Sequence, residues 1–344
     1  MVKNIFFKSA IVCIAMLLTS CDQTIHEYPV EMNDEIELRI VLNPDNVHNV
    51  TCDIYNDLIT RPTISSEMMR VLFYAPSDGS LMSQSFISQK TINSNGYEVI
   101  YGKIHLPPGD YIMLAYNFDI ETVTIHNEND LSGIVATTPT ITEYLGVPMR
   151  DYDDESVRCM PEHLLVAHRN ITISPTCDMQ IVEAEARTVI DTYYLQIKVR
   201  GLQYASKAKA TLSGMSPSNL IGSDERTRAN TKIMFDLSGG QDINIAGDNK
   251  DVLCSLFNTF GKVEGITSEL TVRFDIITND GTQYAKTIDI SNDFLSEDAR
   301  ERHWLLIDYV LDIPEPHNPG GGFNPDMNDW EISDDRIDIF SINR

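Results

Sequence analysis

Leu270-Thr-Val-Arg-Phe-Asp-Ile-Ile277 and Thr282-Gln-Tyr-Ala-Lys-Thr-Ile-Asp-Ile290, joined through Asn279-Asp280-Gly281, give this sequence its clearest structural signal. Polar and apolar residues alternate on both sides of the break, as they do in strands with one buried face. Asp-Gly supplies the positive φ angles that tight hairpin turns need. The segment therefore predicts an antiparallel β-hairpin.

The same strand-like pattern extends outward from this hairpin over most of the chain. Helical periodicity is nearly absent, with short candidates only at 53–59 and 292–301. Many short strands separated by turns are typical of β-sandwiches rather than of an α/β fold. The segments that predict the other strands are 35–42, 69–75, 97–105, 111–117, 164–174, 188–199, 208–213, 231–237 and 304–311.

The spacing of these strands predicts an all-β protein with two sandwich domains in tandem. We expect an N-terminal sandwich over 34–176 and a C-terminal sandwich over 177–313, with the break near Pro175 to Cys177. Residues 314–344 form a Pro/Gly linker and an acidic tail. In that tail, 330–332 and 337–339 predict either a late strand or a frayed acidic end.

The amino terminus has the pattern of a secretory signal peptide over 1–20. Lys3 and Lys8 precede an apolar stretch at 10–18, which is too short to span a bilayer as a permanent helix. The ending Leu18-Thr-Ser-Cys21 resembles the lipobox of bacterial lipoproteins, in which Cys21 receives the lipid, such as palmitate, and becomes the mature N-terminus. An ordinary signal peptide that contains a cysteine is the alternative. Residues 21–33 read as a polar tether.

Composition limits the classes of partner and the disulfide bonds expected of this chain. Asp and Glu number 51 against 26 Lys and Arg, for a net charge of −25, so the chain repels phosphate backbones and nucleic acid is excluded as a partner. The mature cysteines other than Cys21 form no C-x-x-C pair and no disulfide scaffold. A Cys159–Cys177 bridge and buried free thiols are equally compatible with the pattern; the four cysteines are Cys52, Cys159, Cys177 and Cys254.

No catalytic, cofactor or metal motif fits the sequence. Gly261-Lys262 is followed by Val263 where a phosphate loop needs Ser or Thr, and no Gly-x-Ser-x-Gly elbow occurs. His163 and His168 lie five residues apart on a strand, which places them on opposite faces and argues against zinc. The acidic stretches 151–155 and 326–329 do not match a calcium-binding EF-hand loop, so we expect solvated loops there.

Several passages together resemble the fimbrillin-like lipoproteins of the Bacteroidetes, in their fimbrial-anchor and cell-adhesion branch. The stretch 188–215 is the most specific of them, and the resemblance covers nearly the whole mature chain. The passages are Leu106-Pro-Pro-Gly-Asp-Tyr111 with Tyr116-Asn117, Thr188-Val-Ile-Asp-Thr-Tyr-Tyr-Leu-Gln-Ile-Lys-Val-Arg-Gly201, Ala210-Thr-Leu-Ser-Gly-Met215, Phe257-Asn-Thr-Phe-Gly261, and 319–323 with Trp330.

The resemblance implies two transthyretin-like or immunoglobulin-like sandwiches and a non-catalytic role. The chain would be a lipid-anchored outer-membrane protein, facing the periplasm or the cell surface, that holds a fimbria or contributes to adhesion. Its partners would be the membrane, through the lipid, and fimbrial subunits, through β-strand addition. Arg150, Arg158 and Arg187 are candidate cleavage sites for an arginine-specific protease. The alternative is a surface glycan-binding lipoprotein, which would need an aromatic platform built from Trp304 or Trp330.

Overall fold

The computed structural model describes residues 34–47, 61–141, 143–144, 147–148, 157–176, 178–240, 242, 251–263 and 270–316. The signal peptide, Cys21, the tether and the 53–59 helix candidate lie outside these residues, as does the chain after 316. No helix among the described residues is long and apolar enough to cross a membrane.

Strands dominate the described chain. Those of the N-terminal half are β1 (Glu35–Leu42), β2 (Met69–Tyr74), β3 (Leu81–Ile87), β4 (Gln89–Ile92), β5 (Glu98–His105), β6 (Gly109–Asn117), β7 (Thr124–His126), β8 (Val135–Thr137), β9 (Glu143–Tyr144), β10 (Val147–Pro148), β11 (Val157–Cys159), β12 (Leu165–Ile173), β13 (Gln180–Glu185) and β14 (Arg187–Thr188). Those of the C-terminal half are β15 (Asp191–Arg200), β16 (Ala205–Met215), β17 (Ser218–Leu220), β18 (Glu225–Arg226), β19 (Thr231–Asp236), β20 (Ser238–Gly240), β21 (Val252–Thr259), β22 (Thr271–Thr278), β23 (Gln283–Asp289) and β24 (Trp304–Asp312).

The helical segments are short. They are α1 (Pro44–Val47), α2 (Glu297–Glu301) and two 3₁₀ turns, Leu202–Tyr204 and Asp293–Leu295. The helix candidate at 292–301 is therefore split in two. Ser296 breaks it, because its extended backbone ends the 3₁₀ turn while its side chain caps α2 by accepting from the Ala299 amide at 3.1 Å.

The strands build two sandwiches, which confirms the all-β sandwich prediction. Sheet I has the order β13-β1-β5-β4 and packs on sheet II, β14-β12-β6-β2-β3, around apolar side chains such as Leu38, Ile100 and Met113. Sheet III, β11-β19-β16-β22-β23, packs on sheet IV, β20-β21-β15-β24, around Phe257 and Phe274. A short linking sheet, β18-β17-β8-β7, joins strands of the two halves.

The predicted hairpin is present as β22 and β23, with Ile277 opposite Gln283. Its turn differs from the simplest two-residue form, because only Gly281 takes a positive φ, of 83°. The Thr278 amide donates to the Thr282 carbonyl at 2.9 Å, which closes a three-residue loop over 279–281. Three-residue hairpin loops characteristically place glycine at this last, left-handed position.

The domain boundary expected between residues 176 and 177 stays a prediction, and the strand pairing around it is as follows. β13 pairs in parallel with β1, and β14 pairs with β12, so residues 180–188 complete the N-terminal sheets. Conversely, β11 pairs in parallel with β19 of the C-terminal sandwich. The chain therefore passes from the N-terminal sheets to the C-terminal sheets between Thr188 and Asp191. β11, which precedes residue 177, lies in a C-terminal sheet, whereas β13 and β14, which follow it, lie in N-terminal sheets.

Candidate functional site

The first described residues enter the N-terminal sandwich at one end of sheet I. The Asp34 carbonyl accepts from the Leu106 amide at 2.8 Å, and Ile36 lies opposite Ile104. Parallel β13 begins beside Ile36 and runs to Glu185, from which the chain crosses to the second sandwich. Asp34, the first described residue, therefore lies at the end of this sandwich that is remote from the crossing.

The described chain leaves the C-terminal sandwich at the corresponding remote end. β15 starts at the crossing with Asp191, and β24 runs parallel to it, so that Asp312 lies beside Arg200. The Ile313 amide donates to the Arg200 carbonyl at 2.9 Å, next to the 3₁₀ turn Leu202–Tyr204. Asp34 and Ile313 thus lie at opposite ends of the path that the described chain takes through both sandwiches.

Between these ends, the junction is an apolar cluster on the outer face of sheet II. Leu72, Leu114 and Tyr116 from sheet II are at most 2% exposed and pack with residues of the crossing itself and of the C-terminal half. Ile190 and Phe260 are fully buried members of that second group. Because both sandwiches contribute side chains to one core, burial itself couples them.

A half-buried carboxylate, that of Glu128, secures the segment that carries β7 and β8 to sheet II. Glu128 accepts from the Arg70 guanidinium at 2.6 and 2.7 Å and from the Tyr116 hydroxyl, while the Tyr74 hydroxyl donates to the Glu128 carbonyl at 2.9 Å. Burial opposes ionisation of Glu128, but the hydrogen bonds from Arg70 and Tyr116 outweigh it and lower the pKa of this carboxyl. Burial raises the pKa of the Tyr116 phenol. Glu128 therefore stays ionised and binds Arg70 as a charge-assisted pair.

Two ion pairs flank the crossing at the rim of the junction. Arg226 binds Asp191 at 2.6 Å, and Arg187 binds Asp224 at 3.0 Å. Asp191, Asp224 and Arg226 of these pairs line a polar groove of about 490 Å³ that also includes Asn219. The groove is open and these three charged groups are paired, so it has the character of a solvated seam between the halves rather than of an enclosed binding pocket.

The candidate cleavage residues are held in strands where the structure describes them. Arg158 lies in β11, paired with β19, and its guanidinium donates to the Thr138 carbonyl. Arg187 lies in β14. Arg150 lies outside the described residues. Proteases cut extended, accessible loops most readily, and neither Arg158 nor Arg187 is presented in one.

The two histidines singled out by the sequence do not belong to a metal-ligating group among the described residues. His163 precedes β12 and His168 lies within it, and across the described ranges no three His, Cys, Asp or Glu side chains are grouped to hold a metal. The acidic stretches 151–155 and 326–329 fall outside those ranges.

Cys159 and Cys254 are half-buried free thiols, and burial raises the pKa of both. Of the two alternatives that the sequence left open for Cys159, a bridge to Cys177 or a free thiol, the structure has the free thiol. Cys52 and Cys177 lie outside the described residues.

Tyr111 and Trp304 are aromatic residues held by contacts within the described chain. The Tyr111 hydroxyl donates to the Pro107 carbonyl at 3.0 Å and its ring lies in the sheet I–II core, so it is a structural residue. Trp304 is half-buried beside Tyr194, with the Arg302 guanidinium 5.2 Å from its ring centroid. A glycan platform needs an open aromatic face, and the Arg302 guanidinium lies over the ring of Trp304; Trp330 lies outside the described residues.

The chain is similar to proteins that are named as a fimbrium anchoring subunit, an adhesin and a fimbrial anchor. A Bacteroides ovatus protein described as "Putative fimbrium anchoring subunit Fim4B" is 21% identical over 301 residues, which cover 78% of this chain and 83% of that protein. A crystal structure described as a "putative adhesin" from Bacteroides ovatus superposes with a TM-score of 0.55 at 19% identity, covering 85% of this chain and 95% of that one. The fimbrial anchor protein Mfa2 of Porphyromonas gingivalis gives a TM-score of 0.43 at 14% identity, over 81% and 90% of the two chains.

These comparisons confirm the resemblance to fimbrillin-like proteins of the Bacteroidetes in their anchor and adhesin branch. The adhesin structure shares the fold across nearly its whole length, which agrees with the two-sandwich architecture. A family model matches residues 40–236, more than half of the chain. The chain belongs to the family described as Domain of unknown function (DUF5119).

Proposed function

We propose that this protein is a non-catalytic, lipid-anchored subunit of the outer membrane that holds a fimbria or a related adhesive structure to the cell. The observation that carries the proposal is its similarity to a fimbrium anchoring subunit over most of both chains. The Leu18-Thr-Ser-Cys21 ending adds a route to the membrane, because acylation of Cys21 would place a lipid directly before the tether.

The positions of the two chain ends support this role. A lipid at Cys21 would fix the end of the N-terminal sandwich that contains Asp34. The crossing at 188–191 and the parallel course of β15 and β24 then direct the C-terminal sandwich away from that end. The remote end around Gly201 and Asp312 would be the part of the described chain best placed to meet fimbrial subunits, through strand addition or side-chain contacts.

Replacing the lipid-bearing residue tests the anchor. Cys21→Ser should move the protein from the membrane fraction to the soluble fraction and release fimbriae into the medium. Cys13→Ser, which removes a cysteine of the signal peptide and leaves Cys21 in place, is the matched control and should stay membrane-bound. A Cys21→Ser protein that remains in the membrane would contradict the anchor, and normal retention of fimbriae by released protein would contradict the fimbrial role.

A further inference from the structure

The edge strand β3 differs from the other long edge strands of the two sandwiches. Strand edges expose unpaired backbone groups, and proteins usually protect them with charged side chains, proline or bulges. β13 carries Glu183 and Glu185, β23 carries Lys286 and Asp289, and β24 carries Asp308 and Asp312. β3, Leu81-Met-Ser-Gln-Ser-Phe-Ile87, has no charged residue and no proline.

The outer edge of β3 is open over most of its length. The Leu81 amide donates to the Asn129 carbonyl at 3.1 Å, and Ser80 bridges Asp130, so the first residue is covered. The register against β2 shifts between Phe73 and Tyr74, which places a bulge at Met82. The bulge protects only this end of the edge, and the strand from Ser83 onward has no such feature. From Met82 to Ile87, no backbone hydrogen bond from the described part of the chain reaches this edge.

Exposed apolar side chains accompany this open edge. Met82 and Phe86 are 58% and 44% exposed, and Phe118 beside them is 47% exposed. The rings of Phe86 and Phe118 are 5.1 Å apart in an edge-to-face arrangement, and the Arg70 guanidinium lies 4.9 Å from the Phe86 centroid. Arg70 is neutralised by Glu128, so the patch has little net charge. Such a patch is typical of an interaction surface.

The order of residues in β3 indicates which strand would pair with its open edge. Around Gln84 the strand is symmetric in residue type, with Ser83 and Ser85 on either side, then Met82 and Phe86, then the aliphatic ends. A two-fold interface requires a surface that is complementary to itself. An antiparallel pair centred on Gln84 would place each serine opposite a serine and each Met82 opposite a Phe86, whichever set of backbone groups points outward.

We propose that β3 pairs with β3 of a second copy of this chain, about a two-fold axis at Gln84, and so joins two copies of sheet II into one sheet. The absence of charge on β3 supports this edge as the contact. Two chains of net charge −25 repel each other, and the repulsion opposes close approach least where the approaching edges are uncharged. The ladder is short and the interface correspondingly small, which makes the association reversible. This proposal does not rest on the proposed function, because association is measured on purified protein without fimbriae.

Charge reversal across the axis tests the register. Sedimentation velocity of the full chain in detergent micelles should show a monomer–dimer equilibrium whose Kd rises at least tenfold in Met82→Lys and further in Met82→Lys/Phe86→Lys. The double variant Met82→Lys/Phe86→Glu sets opposite charges against each other twice and should recover wild-type association to within a few-fold. Ile181→Lys, at a residue of edge strand β13 that is 54% exposed, should change nothing.

A cysteine at the axis gives an independent readout. Opposed residues of an antiparallel pair have Cα atoms about 4.5–5.5 Å apart, within disulfide range. Gln84→Cys should therefore form a disulfide-linked dimer in the purified protein under mild oxidation, and Ile181→Cys should not. A wild-type chain that stays monomeric together with an uncrosslinked Gln84→Cys would overturn the proposal, as would equal association of the Lys/Glu and Lys/Lys double variants.

Discussion

β6 and β23 are strands of similar length in sheets of five strands each, yet they are buried in different ways. From Tyr111 to Asn117, β6 is buried or half-buried at every position, whereas β23 alternates between exposed and half-buried residues throughout. Sheet II is covered on both faces, by sheet I and by the junction cluster, while β23 is an edge strand with one face toward water. The comparison shows that the N-terminal sandwich, next to the proposed anchor, also contains the core that couples it to its neighbour.

The largest loss of stability is expected from truncating a side chain on the face of β6 that packs into the junction cluster. Leu114→Ala removes a fully buried side chain and should cost about 2–5 kcal/mol of unfolding free energy, because a cavity forms between elements that cannot both collapse into it. Urea denaturation followed by tyrosine and tryptophan fluorescence measures the loss, and the transitions of the two sandwiches should separate. Tyr284→Ala on half-buried β23 is the control and should cost less; an equal loss would contradict the special role of sheet II.

A smaller effect is expected from the carboxylate under this cluster. Glu128→Gln keeps the size of the side chain but removes the charge that Arg70 binds, and should cost about 1–3 kcal/mol at neutral pH. The folded-state pKa of Glu128 lies below its unfolded value of about 4.3, so its stabilisation is present above that pH and is lost as pH falls through the folded value.

Thermal unfolding at pH 7 and at successively lower pH measures this dependence. The wild type should lose stability on acidification faster than Glu128→Gln, and the two proteins should converge. A constant difference down to strongly acidic pH would contradict the ionised pair.

The smallest effect is expected at the rim of the junction. Arg226→Ala breaks the 2.6 Å pair with Asp191, but the Arg226 side chain is 37% exposed, so the loss should stay below about 1 kcal/mol and shrink with added salt. Arg200→Ala, which breaks the open Arg200–Asp312 pair, should have no measurable effect on urea denaturation. A loss at Arg226 as large as that of Leu114→Ala would mean that charge rather than apolar burial couples the sandwiches.

Sequence patterns predicted the strands and turns whose signals are local, and missed contacts between residues that are far apart in the chain. The β22–β23 hairpin, β1 and β6 follow from alternation, continuous apolar runs and turn residues, all of which are local signals. The parallel pairing of β13 with β1 depends on a partner far away in the chain, and its own exposed and charged residues give no sign of it. Glu128 lies in a polar loop after Asn127, which has a positive φ, so composition assigns it to solvent. Only the fold shows that Arg70 and Tyr116 bind it.

The most direct test of the account locates the partner at one of the two chain ends. A photo-crosslinking amino acid at exposed Gln203, in the remote end of the C-terminal sandwich, is compared in intact cells with the same group at exposed His105, where the chain enters the N-terminal sandwich. The account predicts that the Gln203 position yields an adduct with a fimbrial subunit and that the His105 position does not. An adduct with a fimbrial subunit from His105 and none from Gln203 would contradict it.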